Sequence, residues 1–154
     1  MKTVPHVNDL LPHEAPMILI DDMIDVGEKH IHCRVTSKES NLFFDQEIKA
    51  IPGWVGIELM AQTIAAWSGY HAWHEGGEPP VGFLLGSRRY NTDTSVFPAG
   101  QVLDIHADHM MESNGMAVFA CRIEHDGVEL ATAQLNAFVP PKEKLEQMMN
   151  RDTQ

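Results

Sequence analysis

The chain has 154 residues, 44% of them apolar, which is enough for one domain with a sizeable core. Acidic residues outnumber basic ones 22 to 11, and the resulting net charge of −11 argues against nucleic acid and anionic membranes as partners. An N-terminus without the apolar core of a signal peptide, and cysteines limited to Cys33 and Cys121, point to a cytoplasmic protein with reduced thiols.

Residues 7–12 are expected to form a short helix or turn, and the Ile- and Met-rich run from Met17 to Val26 a strand. After Gly27, Lys29 to Thr36 alternates, with Ile31, Cys33 and Val35 on one face and His30, His32 and Arg34 on the other. Residues 37–51 lack periodicity and read as a loop. Pro52 to His74 then reads as a long helix, with proline suited to its first turn. Trp54, Ile57, Met60, Ala61, Ile64, Ala65, Trp67 and Trp73 surround it with apolar or small side chains, the mark of a membrane span or of a core helix. Glu58, Gln62, Ser68 and His71, without a flanking basic cluster, favour the core helix over the span.

Four strands are expected near 81–90, 101–112, 116–125 and 128–139, the last three linked by the hairpin signals Asn114-Gly115 and Asp126-Gly127. Ala117, Phe119, Cys121 and Ile123 share one face, as do Ala131, Ala133, Leu135 and Ala137. One long helix and about six mostly antiparallel strands make an α+β domain over residues 1–141, followed by a charged tail or short helix over 142–154. A curved sheet wrapped around the helix, the hot-dog arrangement, would bury it on most sides.

Within that helix Glu58 is the one acidic or basic side chain, histidines aside. A carboxylate among apolar neighbours loses solvation, which favours its protonated form and suits it to general acid chemistry. Gln62, one turn later, could orient it, while a structural Glu reaching a partner or the surface is the competing reading. The first N–H groups of the helix carry the positive end of its dipole. Gly53, without a side chain, would let a ligand carbonyl approach them, as in an oxyanion site.

Pro52-Gly53-Trp54-Val55-Gly56-Ile57-Glu58-Leu59-Met60-Ala61-Gln62 resembles the central-helix motif of bacterial 3-hydroxyacyl-acyl-carrier-protein dehydratases. Leu11-Pro12-His13 with Pro16-Met17 and Asp21, and Phe97-Pro98-Ala99-Gly100-Gln101-Val102-Leu103, are similar to two further segments of that family in the same order. Trp54 to Gln62 and Gly82 to Tyr90 resemble most the branch found with arylpolyene pigment clusters. The resemblance implies a hot-dog dehydratase acting without a cofactor on thioesters of an acyl carrier protein. Glu58 would be the acid, Gly53 would supply an oxyanion N–H, and Trp54, Gln62, His13 and Phe44 would line the substrate site.

The family's base is a histidine, and the position that corresponds to it here is Phe44. The chain is therefore expected to be the Glu-bearing half of a heterodimer whose hot-dog partner brings the histidine, with a homodimer as the other possibility. His13 is the nearest local substitute. A hot-dog thioesterase using Glu58, and a non-catalytic stabilising subunit, are the alternative readings.

Other signals point to structure. His71 and His74 with Glu75 lack a third ligand at recognisable spacing, and His106 and His109 fall on opposite faces of a strand, so no zinc site is expected. Cys33 and Cys121 fall on apolar faces. Arg88 and Arg89, with Lys49, form either a basic patch for an acidic carrier or a solvated pair at a strand end.

Overall fold

The computed structural model describes residue 6 and residues 18–74, 76, 84–113 and 116–138. The expected helices near 7–12 and 142–150, the Asn114-Gly115 turn and His13 lie outside the described residues.

Among the described residues, eight strands and one α-helix follow in chain order: β1 (Asp22–Val26), β2 (His30–Thr36), β3 (Ala50–Pro52), a 3-10 turn (Gly53–Val55), α1 (Gly56–His74), β4 (Leu84–Thr92), β5 (Val96–Pro98), β6 (Val102–Ser113), β7 (Met116–His125) and β8 (Val128–Phe138). Six strands form one antiparallel sheet in the order β1-β2-β6-β7-β8-β4, and β3 pairs with β5 as a separate two-stranded ribbon.

The alternation read from β2 is the alternation observed: Ile31, Cys33 and Val35 are fully buried, and the residues between them are partly exposed. The same holds for Phe119, Cys121 and Ile123 on β7 and for Ala131, Leu135 and Ala137 on β8. Asp126 (φ 49°) and Gly127 (φ 78°) both take the left-handed conformation that a two-residue hairpin turn between β7 and β8 requires. Burial pushes the thiols of Cys33 and Cys121 up to about 12, as fits core cysteines.

Two expectations are corrected. The loop expected over 37–51 ends in a strand, because Ile51 pairs with Phe97 across the ribbon and both are fully buried. Pro52 is the last residue of β3 and caps the 3-10 turn in an extended conformation (φ −57°, ψ 143°), one residue before the place expected for it. As expected for the hot-dog arrangement, α1 packs against a six-stranded antiparallel sheet. It lies across one face of the sheet, and Leu59, Met60, Thr63, Ile64 and Ala66 fill the space beneath it against β2, β6 and β7. Positions on the far side, Ile57, Glu58, Ala61 and Ser68, remain partly or fully exposed, so the described residues leave this side of the helix incompletely covered. No helix among the described residues is long and apolar enough to cross a membrane.

Candidate active site

Glu58 stands on that uncovered side. It was expected among apolar neighbours, yet it is exposed, because none of the described residues covers it on this side of α1. Its surroundings are nonetheless apolar. Trp54, one turn earlier, is 58% exposed and meets Phe43 edge to face at a centroid distance of 5.5 Å. Leu42, beside Phe43, is 43% exposed. An acid one turn from an exposed Trp is the composition of a surface that another molecule covers.

Gln62, four positions on from Glu58, is buried, and its Oε1 accepts the Leu19 N–H at 2.8 Å. Gln62 thus ties the helix to the segment entering β1. Phe44, at the position of the family's base, packs against the hydrophobic core, and its N–H donates to the Asn41 carbonyl at 3.0 Å. His13 is not among the described residues.

Gly53 has a different task from the one expected. Its N–H donates to the Ser95 carbonyl at 2.8 Å. A Cβ on it would lie 2.6 Å from the Thr94 carbonyl oxygen and 3.0 Å from that of Ser95. Glycine is needed here because the link between β4 and β5 passes across its α-carbon. The Gly53 carbonyl accepts from the Tyr90 hydroxyl at 2.5 Å and from the Gly56 N–H. Burial raises the Tyr90 pKa, so the phenol stays protonated and able to donate. The next N–H along, that of Trp54, has no intrahelical acceptor, and no turn, cap or side chain among the described residues accepts from it.

Tyr90, Thr94 and Ser95 are the residues that sequence reasoning missed around the helix start. The signal available was the pair Gly53 and Gly56 within a segment of large side chains, since each glycine marks a spot where another group presses in.

The histidines sort as structure. His71 Nε2 lies 3.0 Å from the Gly27 carbonyl, and His109 packs on Trp67 and Phe119 inside the sheet. On the outer face His106 stacks on His32 at 4.1 Å, with His32 bound to Asp104 and His30 to Asp108. No group of three or more His, Cys, Asp or Glu among the described residues is arranged to hold a metal ion. A cleft of about 370 Å³ on that outer face is lined by Arg89, Asp108, Arg122 and Glu129 among others. It lies across the sheet from Glu58, and Arg122 there already pairs with Asp108 at 3.2 Å and Glu124 at 2.7 Å. Arg89 and Lys49 both take positive φ, 58° and 50°.

Comparison with known proteins gives a consistent result. The ApeP-like family model, described as ApeP dehydratase, matches residues 5–150. The 3-hydroxyacyl-[acyl-carrier-protein] dehydratase FabZ of Psychromonas ingrahamii is 27% identical over 128 residues, covering 80% of this chain and 84% of its own. The FabZ of Bartonella henselae is 29% identical over 138 residues, with 87% of each chain covered. Among solved structures, a chain of the dehydratase heterocomplex ApeI:P from Xenorhabdus doucetiae superposes with a TM-score of 0.84 at 35% identity, covering 95% of this chain and 98% of that one. A hypothetical thioesterase from Streptococcus pneumoniae, with a TM-score of 0.56 at 12% identity, shares the fold alone.

Proposed function

The chain belongs to the ApeP-like dehydratase family, and we propose that it is the Glu58-bearing subunit of a two-chain dehydratase acting on 3-hydroxyacyl thioesters of an acyl carrier protein. It is a hot-dog-fold hydro-lyase subunit of a polyene or fatty-acid-like pathway, and it functions with a second hot-dog subunit. The carrier, the division of labour between the chains and the roles of single residues belong to the proposal.

The observation that carries it is the pairing of an exposed acid with an uncovered apolar helix face, in a chain where Phe44 takes the place of the family's base. A partner lying on Trp54 and Glu58 would dry the site and bring a histidine to it. In the reaction that imidazole takes a proton from the carbon α to the thioester, and the electrons pass toward the carbonyl oxygen. A helix N-terminal N–H stabilises the enolate. Glu58 gives its proton to the β-hydroxyl, which departs as water, and the electrons return to form the trans-2 double bond. The imidazolium then passes its proton back to Glu58, so both groups are restored.

The test is turnover of a 3-hydroxyacyl-carrier thioester by the chain alone, by the chain with a hot-dog partner, and by the same complex carrying Glu58→Gln. Enoyl product only from the complex, lowered by roughly 10²–10⁴-fold in the variant, is the expected result for a general acid. Free acid in place of enoyl product would make the chain a thioesterase. Full activity of the Glu58→Gln complex would leave it a non-catalytic subunit.

A further inference from the structure

A trans peptide unit carries its C=O and its N–H on opposite sides. Whatever grips the oxygen of Gly53 therefore also sets the direction of the Trp54 N–H. That oxygen is held twice, by the Gly56 N–H within the 3-10 turn and by the Tyr90 hydroxyl at 2.5 Å. The Trp54 N–H on the opposite side is left pointing out of the N-terminal end of the helix, one turn from Glu58. The Gly53 N–H is not available for the same purpose, being donated to Ser95.

We infer that Tyr90 is a positioning residue for dehydration: through the Gly53 carbonyl it aims and polarises the Trp54 N–H, which is the donor to the thioester carbonyl. The inference rests on the dehydratase reading above, which places that carbonyl at the helix start.

Two features of the chain are built around the Tyr90 contact. The first is a bulge. Arg88 pairs with Gln134 and Asn91 with Thr132, so β4 spends three residues where β8 spends two. Alternation from the residues paired with Ala137 and Leu135, Leu85 and Ser87, would send position 90 to the outer face. The extra residue, with Arg89 at φ 58°, returns Tyr90 to the helix side. The second is Gly56. A Cβ there would come within 2.1 Å of the Tyr90 hydroxyl oxygen and 3.1 Å of its Cζ. Glycine keeps the slot open for the phenol, in a helix where alanine would otherwise be the better residue. A left-handed Arg and a helical Gly are both locally unfavourable, and both serve the same hydrogen bond.

Hydrogen bonds that share one peptide group reinforce one another. Losing one oxyanion donor costs about 10²–10³-fold in turnover. A donor that remains but is no longer held should cost less, roughly 10- to 100-fold.

The experiment uses the complex of this chain with its partner subunit, carrying Tyr90→Phe, and reads two quantities. One is kcat against KM. The other is the infrared band of a ¹³C-labelled carbonyl in a saturated acyl-carrier thioester, which binds but cannot lose water. The expected result is a fall in kcat of roughly 10- to 100-fold with KM nearly unchanged, and a carbonyl band displaced toward that of the free thioester. Replacing Tyr90 by 3-fluorotyrosine, a stronger donor of nearly the same shape, should displace the band the other way, and serves if the phenylalanine variant fails to assemble. Unchanged kcat with an unchanged band, or a band indifferent to fluorination, overturns the inference. Glu58→Gln is measured alongside, with lost turnover and a wild-type carbonyl band expected. If that variant keeps its turnover, the dehydratase reading itself has failed, whatever Tyr90 does.

Discussion

Replacing Gly53 by alanine separates two roles that a glycine at this position could have. If it served only to let a ligand approach, Gly53→Ala would lower activity and leave stability alone. The structure assigns it a packing role. The new Cβ would stand 2.6 Å from the Thr94 carbonyl oxygen, 3.0 Å from that of Ser95 and 3.1 Å from the Ser95 carbonyl carbon, all backbone atoms that no side-chain rotation can clear. Forcing extra volume into a packed site costs about 1–3 kcal/mol, and pushing the strand link away also breaks the Gly53–Ser95 hydrogen bond, about 1 kcal/mol more. The total of about 2–4 kcal/mol should lower the melting temperature by roughly 5–15 °C for a chain of this size. Urea unfolding of the purified protein, followed by intrinsic tryptophan fluorescence and checked by calorimetry, measures it directly. A Gly53→Ala protein as stable as wild type would refute the packing argument and return Gly53 to the role of a ligand-approach site.

Trp54 offers a second test. Truncating this exposed side chain to alanine should weaken association with the partner subunit roughly 30-fold or more, the effect of losing an interface anchor worth about 2 kcal/mol. Sedimentation should show it while the unfolding of the isolated chain stays unchanged, and wild-type affinity would take Trp54 out of the interface. His106 governs a third. Burial, with His32 and Arg122 nearby, lowers its pKa, so the folded state resists its protonation. Its neighbours on the outer face also include His30, Asp104, Asp108 and Glu124. The stability tied to neutral His106 is complete above the unfolded value of about 6.5 and is lost as pH falls through the lower folded value. Stability of His106→Asn relative to wild type should therefore be greater at pH 5.5 than at pH 7.5, and a difference independent of pH would remove His106 from the account.

The antiparallel sheet was legible wherever a strand alternates against a single core. Ile31, Cys33 and Val35, or Phe119, Cys121 and Ile123, announce their burial through a period of two, and Asp126-Gly127 announces its turn through backbone sterics. The ribbon of β3 and β5 was not legible, because three-residue strands carry no measurable period. Glu58 was found because a lone carboxylate in an apolar helix asks for a reason. Its exposure could not be found the same way: composition reports that a face is apolar, not whether the sheet or another chain covers it. The tie from Gln62 to Leu19 was not legible, because spacing along a helix does not say which distant segment a side chain meets. Tyr90 lies far from the helix in sequence, and only the bulge in β4 brings it there.

The strand order β1-β2-β6-β7-β8-β4 has a consequence for how the protein is made. Ribosomal synthesis delivers the chain from its N-terminus, so β1, β2 and α1 emerge first. The strand that α1 packs on most, and that β2 pairs with on its inner edge, comes late, after Val102. The β6-β7-β8 meander is the part with short-range contacts, and it can close quickly once it appears. Until then Leu59, Met60 and Ile64 have no sheet to cover them. The growing chain thus waits with its stickiest helix bare, and its yield in a cell depends on how well that interval is guarded from aggregation.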